Sequence, residues 1–352
     1  MNWYKEYYSE WKEIIETVAR ELGRSEQMVE KDTIQSMFLY ELSKSELPFV
    51  FKGGTSLSKA YDLIDRFSED IDLSMDCRPT QSERARSKQL IISIGEKLGL
   101  VLSNPEDVKS HYDYNKYVFK YDSMFAEISL EIIIETSYYQ EVYPVEKHIV
   151  GSFVGKFCRE REISLPIPFE AAEVLMNVQS IERTFVDKVF AVCDYKIQNM
   201  QDRDSRHLYD ICKLMGQVNL DKELSELVAE VREDRMQSKN NPSAQPENNI
   251  PEMLQDIISS RFYEADYKNV TQKLLYENIS YDYAVEQGIA IVAKSNVFEY
   301  RKPSLHTKIK SAGLRKGATN RKQGTATDEE RLIDDTGERK GPGSKPIDER
   351  LF

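Results

Sequence analysis

Cysteine is scarce. There are four in 352 residues, Cys77, Cys158, Cys193 and Cys212, and none forms a Cys-x-x-Cys pair. That excludes a disulfide framework and a thiolate zinc site, and it fits reduced, mostly buried thiols in a cytoplasmic protein. Histidine is as rare, with four residues, and no two sit at metal-ligand spacing. No apolar run approaches the length of a membrane span. The first residues, Met1 to Glu6, are polar and lack the apolar core of a signal peptide. Positive charge is outnumbered, giving a net charge of −12, so the surface as a whole does not suit a polyanion. A local basic groove remains compatible, because fields act over about a Debye length. No internal repeat is evident.

What is present is enough for a core: 40% apolar residues, with 20 tyrosines and 14 phenylalanines. The chain is long enough for two domains, or one core with helical additions. Residues 1–45 read as helices. Trp11, Ile14, Ile15, Val18 and Leu22 keep a 3.6-residue period, Gly23 stops the first helix, and Ser25 caps a second. Residues 46–179 carry strand signals: an apolar run ending at Phe51, an alternating stretch at 70–75, and further strands at 117–122, 127–136 and 174–179. A helix is expected from Thr55 to Asp65 and another opening at Pro79–Glu83, while Pro144 ends the region after the 127–136 strand. From Ser180 to about residue 300 the pattern is helical again, broken by a polar, proline-rich loop at 236–251. Residues 301–352 are charge-dense and nearly devoid of aromatics, a composition that predicts a disordered tail.

The chemistry concentrates in two neighbouring strings, Lys52-Gly53-Gly54-Thr55-Ser56-Leu57 and Arg66-Phe67-Ser68-Glu69-Asp70-Ile71-Asp72-Leu73. Residues i and i+2 of a strand share a face, so Asp70 and Asp72 project together while Ile71 and Leu73 enter the core. Two carboxylates that close repel unless a cation lies between them. Oxygen-only ligands with room for substrate phosphates suit Mg²⁺ and two-metal phosphoryl or nucleotidyl transfer. Gly53 and Gly54 let backbone approach a phosphate, the helix from Thr55 turns N-terminal donors toward it, and Thr55, Ser56 and Ser68 add hydroxyls. A solvated acidic hairpin would show the Asp-x-Asp but not the whole string.

These strings resemble the polymerase β-like nucleotidyltransferases, and in their full length the AbiEii/AbiGii-type toxins of toxin–antitoxin and phage-abortive systems. The resemblance covers about residues 10 to 300 and implies an α+β fold. A small mixed sheet would carry the carboxylates, with helices flanking it and a C-terminal helical domain closing over a nucleotide cleft. It implies Mg²⁺-dependent transfer of a nucleoside monophosphate from an NTP to an acceptor, an RNA such as tRNA in some relatives, and a cognate antitoxin as partner. Transfer to a protein hydroxyl, and a non-catalytic interaction protein that keeps the fold, are the competing readings.

The resemblance also assigns residues. Glu135, in Ile-Ile-Ile-Glu-Thr, would be the third metal carboxylate, with Glu131 and Glu127 of the same strand parity left open. Lys188 would serve the triphosphate, with Lys52 at the glycine turn. Asp210 would orient Lys188 or the acceptor, and Arg206 or His207 would bind phosphate, although an ion pair between Arg206 and Asp210 is the plainer alternative. Lys31-Asp32 reads as a structural pair near the core, and Arg183 and Thr184 as lining the rim of the site.

Overall fold

The structure is a computed structural model that describes residues 6–66, 68, 70–163 and 173–300. The described residues all fall within one compact unit. The tail expected at 301–352 lies outside the described residues.

Two helices open the chain, α1 (Tyr8–Leu22) and α2 (Glu26–Ser43). Gly23 ends α1 in the left-handed region, and the Ser25 hydroxyl accepts from Met28 N to cap α2. Strand β1 (Phe49–Lys52) runs directly into α3 (Gly53–Lys59), and β2 (Asp70–Met75) follows. Helix α4 (Gln81–Lys97) starts at a capping box of Thr80 and Glu83. Then come β3 (Val101–Leu102), β4 (Tyr114–Asp122), β5 (Ser129–Ser137), β6 (Val145–Gly151), α5 (Phe153–Glu160) and β7 (Glu173–Gln179). Helices α6 (Ile181–Ile197), α7 (Arg206–Leu214), α8 (Lys222–Arg235), α9 (Ile250–Ser259), α10 (Tyr281–Gln287) and α11 (Ile289–Lys294) complete the described chain, with short helical turns from 264 to 274.

The strands form one mixed seven-stranded sheet in the order β3-β4-β5-β2-β1-β7-β6. The fold is thus the mixed sheet with flanking helices expected from the sequence. One face is apolar: Phe49, Phe51, Ile71, Leu73, Tyr117, Phe119, Ile132, Ile134, Met176 and Val178 pack with residues of α1, α2, α4 and α5. Alternation then forces Lys52, Asp70, Asp72, Glu135 and Lys116 onto the other face. A second apolar cluster fills the helical part from α6 onward and takes in Leu57 and Ile64 beside the glycine turn.

Two expectations are corrected, and the polar loop expected at 236–251 is present, with α9 starting at Ile250. Helix α3 begins at Gly53 and stops at Lys59, short of Asp65, because the chain turns back through Asp62 in the left-handed region. Pro144 does not end the sheet; it leads into β6, which pairs antiparallel with β7 from Val145↔Gln179 to Gly151↔Glu173. The polar loop at 236–251 is anchored: Arg232 donates to the carbonyls of Ala244 (3.0 Å) and Gln245 (2.9 Å), and Ser243 N donates to Asp194 (2.8 Å).

Candidate active site

The central strands place four charges in a transverse row. Lys52 of β1 pairs in register with Asp72 of β2, Asp72 with Glu135 of β5, and Glu135 with Lys116 of β4. Two carboxylates sit side by side, with a lysine on each outer flank. Asp70 lies one pleat along β2, opposite Ile133. Among the three glutamates of equal parity, only Glu135 belongs to this row. Glu131 faces Lys120 and is exposed, and Glu127 precedes the strand.

The glycine turn is moulded to this row. Gly53 has φ +78°, and a Cβ there would fall 2.0 Å from Asp72 Oδ2. At Gly54 a Cβ would fall 2.5 Å from an Arg66 guanidinium nitrogen and 3.1 Å from Ser68 Oγ. The Thr55 hydroxyl donates to the Asp70 carbonyl and lies 2.8 Å from Ser68 Oγ. Ser56 Oγ donates to the Gly53 carbonyl at 2.8 Å and is fully buried. Thr55 and Ser56 thus use their hydroxyls to hold the turn, while Ser68 remains half-buried beside it. Replacing Gly53 by Ala should displace Asp72. We expect a destabilisation of about 1–3 kcal/mol and at least a ten-fold fall in nucleotidyl transfer. Urea denaturation with a transfer assay measures both, and a variant equal to wild type in the two would show that the close approach is unimportant.

The helical part contributes a buried charge cluster. Lys188 of α6 donates to Asp210 of α7 at 2.6 Å, and Arg66 donates to both oxygens of the same carboxylate at 2.7 and 2.8 Å. Burial alone would raise the Asp210 carboxyl; Arg66 and then Lys188 outweigh it and hold it well below the usual carboxylate range. Burial lowers the Lys188 ammonium, and Asp210 opposes that. Two cations on one carboxylate leave net positive charge next to Asp72, whose own carboxyl is pushed up to about 6, by burial first and by Glu135 and Asp70 among its neighbours.

The Arg206–Asp210 ion pair is not formed. Arg206 instead bonds Asp204 at 3.1 Å. Asp210 and then Asp70 and Asp72 add to the field that raises its guanidinium above the ordinary value against the cost of burial. His207 Nδ1 stands 3.8 Å from Asp210, beyond hydrogen-bond range, and the ring stacks on Tyr195. Burial and then the nearby Lys188 lower its pKa, with Asp210 and Asp204 opposing. Asp32 takes Lys59 as partner; the buried Lys59 also bonds Ser36 Oγ at 2.8 Å, and Asp32 accepts from Phe153 N at 2.7 Å. This pair locks α2 to α3 and α5. Arg183 bonds Asp187 (3.1 Å) and the Tyr143 carbonyl (3.1 Å), and Thr184 is buried beside Gln179.

Arg66 was not singled out from the sequence, although it opens the Arg-Phe-Ser-Glu-Asp-Ile-Asp string. It is 4% exposed and joins the glycine turn to Asp210, 144 positions away. The only local sign is an arginine placed between an apolar helix and an acidic strand.

Oxygen donors on Asp70, Asp72 and Glu135, together with the close Gly53 cradle, fit a hard divalent cation. Among the described residues no group of three His, Cys, Asp or Glu side chains is placed to hold a metal ion. No helix among the described residues is long and apolar enough to cross a membrane.

Comparison with known proteins agrees with this geometry at the level of family. The family model described as nucleotidyl transferase AbiEii toxin, type IV toxin–antitoxin system, matches residues 37–287, well over half of the chain. Among solved structures, the chain is similar to a candidate nucleotidyltransferase from Helicobacter pylori, at 16% identity over 78% of this chain and 96% of that one, with a TM-score of 0.44. It is also similar to JHP933 from Helicobacter pylori, at 16% identity over 83% and 97% of the two chains, with a TM-score of 0.43. The search of curated proteins gave no match. The chain belongs to the AbiEii family of nucleotidyl transferase toxins, whose type IV systems pair such a toxin with an antitoxin.

Proposed function

We propose that this protein transfers a nucleoside monophosphate from an NTP to an RNA acceptor, of which tRNA is the leading class, in a Mg²⁺-dependent reaction. The observation that carries the reading is the row Lys52–Asp72–Glu135–Lys116, with Asp70 beside it and the Lys188–Asp210–Arg66 cluster adjoining it. Carboxylates flanked by cations are what a reaction between two polyphosphate-bearing substrates needs.

Asp70, Asp72 and Glu135 would hold Mg²⁺. When bound, it neutralises charge on the phosphates and favours ionisation of the attacking hydroxyl. Lys188 offers its ammonium to the β- and γ-phosphates, and Asp210, clamped by Arg66, fixes where that ammonium points. Arg206 and Lys52 add positive charge on the same side. The acceptor oxygen bonds to the α-phosphorus, and the bond from that phosphorus to the α–β bridging oxygen breaks. Its electron pair leaves on pyrophosphate, and the hydroxyl proton passes to solvent. The helices from residue 180 would close over the nucleotide. The antitoxin would block either this site or its acceptor. Decay to a non-catalytic binder fits poorly with the intact carboxylate pair and the paired Lys188.

Labelled NTPs incubated with total cellular RNA or total protein test the reading, with Glu135→Gln, Glu131→Gln and Glu127→Gln run in parallel. Label should enter RNA, Glu135→Gln should lose about 10²-fold or more in rate, and the other two should stay near wild type. Label found only in protein would transfer the proposal to a protein hydroxyl. A dead Glu131→Gln beside an active Glu135→Gln would shift the metal site four residues along β5.

A further inference from the structure

Strand β4 borders the carboxylate row on the flank opposite β1 and β7, the strand that leads into the Lys188 helix. Its residues Tyr114 and Lys116 share the face of Glu135, since Lys116 pairs with Glu135 and Tyr114 with Ser137 in register. Tyr114 is 44% exposed and Tyr112, just before the strand, 47%. Lys116 is also 44% exposed and lies 3.3 Å from Glu135, a surface pair of the kind that contributes little and exchanges partners readily. Beside them two guanidinium groups, Arg84 at 2.8 Å and Arg78 at 3.6 Å, share the single carboxylate of Asp113, leaving local positive charge on an acidic protein.

We infer that Tyr114, Tyr112 and Lys116, with the Arg78–Arg84 pair behind them, form the platform that receives the single-stranded end of the acceptor RNA. The inference rests on the proposed transfer to RNA and adds where that acceptor lies. A nucleotidyl transfer must bring two anions to the carboxylates from opposite sides. Strand β7, which leads into the Lys188 helix, lies toward one flank of the row and β4 on the other. Exposed tyrosine faces take unpaired bases, which stack on them whatever their identity, and the interleaved cations track the backbone. Tyr114 and Lys116 are two residues apart, about 7 Å along the strand, so a stacked base and its phosphate are within reach of both. A duplex keeps its bases closed to such rings, so the chemistry fits a 3′ overhang or loop.

The full-length protein is titrated, without NTP, into a fluorescein-labelled mixed-sequence single-stranded RNA of about 12 nucleotides. Anisotropy reads binding at several salt concentrations, and calorimetry reads binding of each NTP. Tyr114→Leu should bind the RNA about ten-fold more weakly, the size of one lost base–aromatic stack, while Tyr114→Phe stays near wild type. Lys116→Gln should flatten the dependence of log K on log salt by about 0.7. NTP affinity should be unchanged in Tyr114→Leu and Tyr114→Phe. Unchanged RNA binding by Tyr114→Leu, or a fall in NTP affinity instead, overturns the platform. If the wild type transfers label yet binds no RNA, the platform falls and nucleotidyl transfer stands. If RNA binding depends on Tyr114 but no transfer is found, the platform stands and the transfer reading falls.

Discussion

Asp70→Asn and Asp72→Asn should each reduce nucleotidyl transfer by about 10³-fold or more and remove toxicity in cells, while the protein stays folded. Both residues lie on the site face of β2, with Ile71, Leu73 and Met75 anchoring the strand in the core. Neither carboxylate is needed to hold the sheet. Asp72 in particular is half-buried next to Glu135 and Asp70; desolvation first and then these two carboxylates disfavour its charge, and Lys52 and Lys188 offset only part of that. Removing one negative charge from this group relieves repulsion, so thermal stability should hold or rise slightly. Steady-state transfer rates, read with thermal melts of the same samples, decide the matter. Retention of most activity by either variant would remove it from the metal-holding set, whereas loss of activity with loss of folding would assign that aspartate a structural role.

The largest loss of stability is expected at Asp210. The side chain is fully buried and answers two buried cations, Arg66 and Lys188. Asp210→Leu leaves both without a counter-charge, and breaking a buried pair from one side costs about 3–5 kcal/mol. Arg66 would also lose its tie between the glycine turn and α7, so Gly54 and Ser68 should shift with it. NTP affinity should therefore fall together with stability. Arg66→Met is the milder companion, since Lys188 still pairs with Asp210. The pH dependence carries a sign. The folded carboxyl is held below its ordinary value, so its stabilisation is present above about pH 4 and is lost as the pH falls through the folded value. The difference in unfolding free energy between wild type and Asp210→Asn should then be flat through neutral pH and shrink only in strong acid. Denaturation curves from pH 3 to 8 would show this. An Asp210→Leu protein as stable as wild type would mean that Arg66 and Lys188 find other partners.

What the sequence by itself determined is local and periodic. The alternation of Asp70, Ile71, Asp72 and Leu73 fixed a strand and the face its carboxylates take, because successive side chains of a regular strand point to opposite faces. Gly23, Ser25 and the Thr80–Glu83 box marked helix ends, because the groups they satisfy lie within a few residues. The family was likewise readable, since its motif strings are contiguous. The tertiary structure decided what depends on distant partners. Glu135, Glu131 and Glu127 have the same parity, and only the pairing of β5 with β2 puts Glu135 level with Asp72. Arg206 and Asp210 are at helical spacing, yet Asp210 is claimed by Arg66 and Lys188 from other elements because burial demands its strongest available partners. Strand β6 escaped notice because an exposed edge strand needs no continuous apolar face. Tyr114 and Lys116 look like any polar alternation on a strand, and they acquire meaning only because folding sets them beside Glu135.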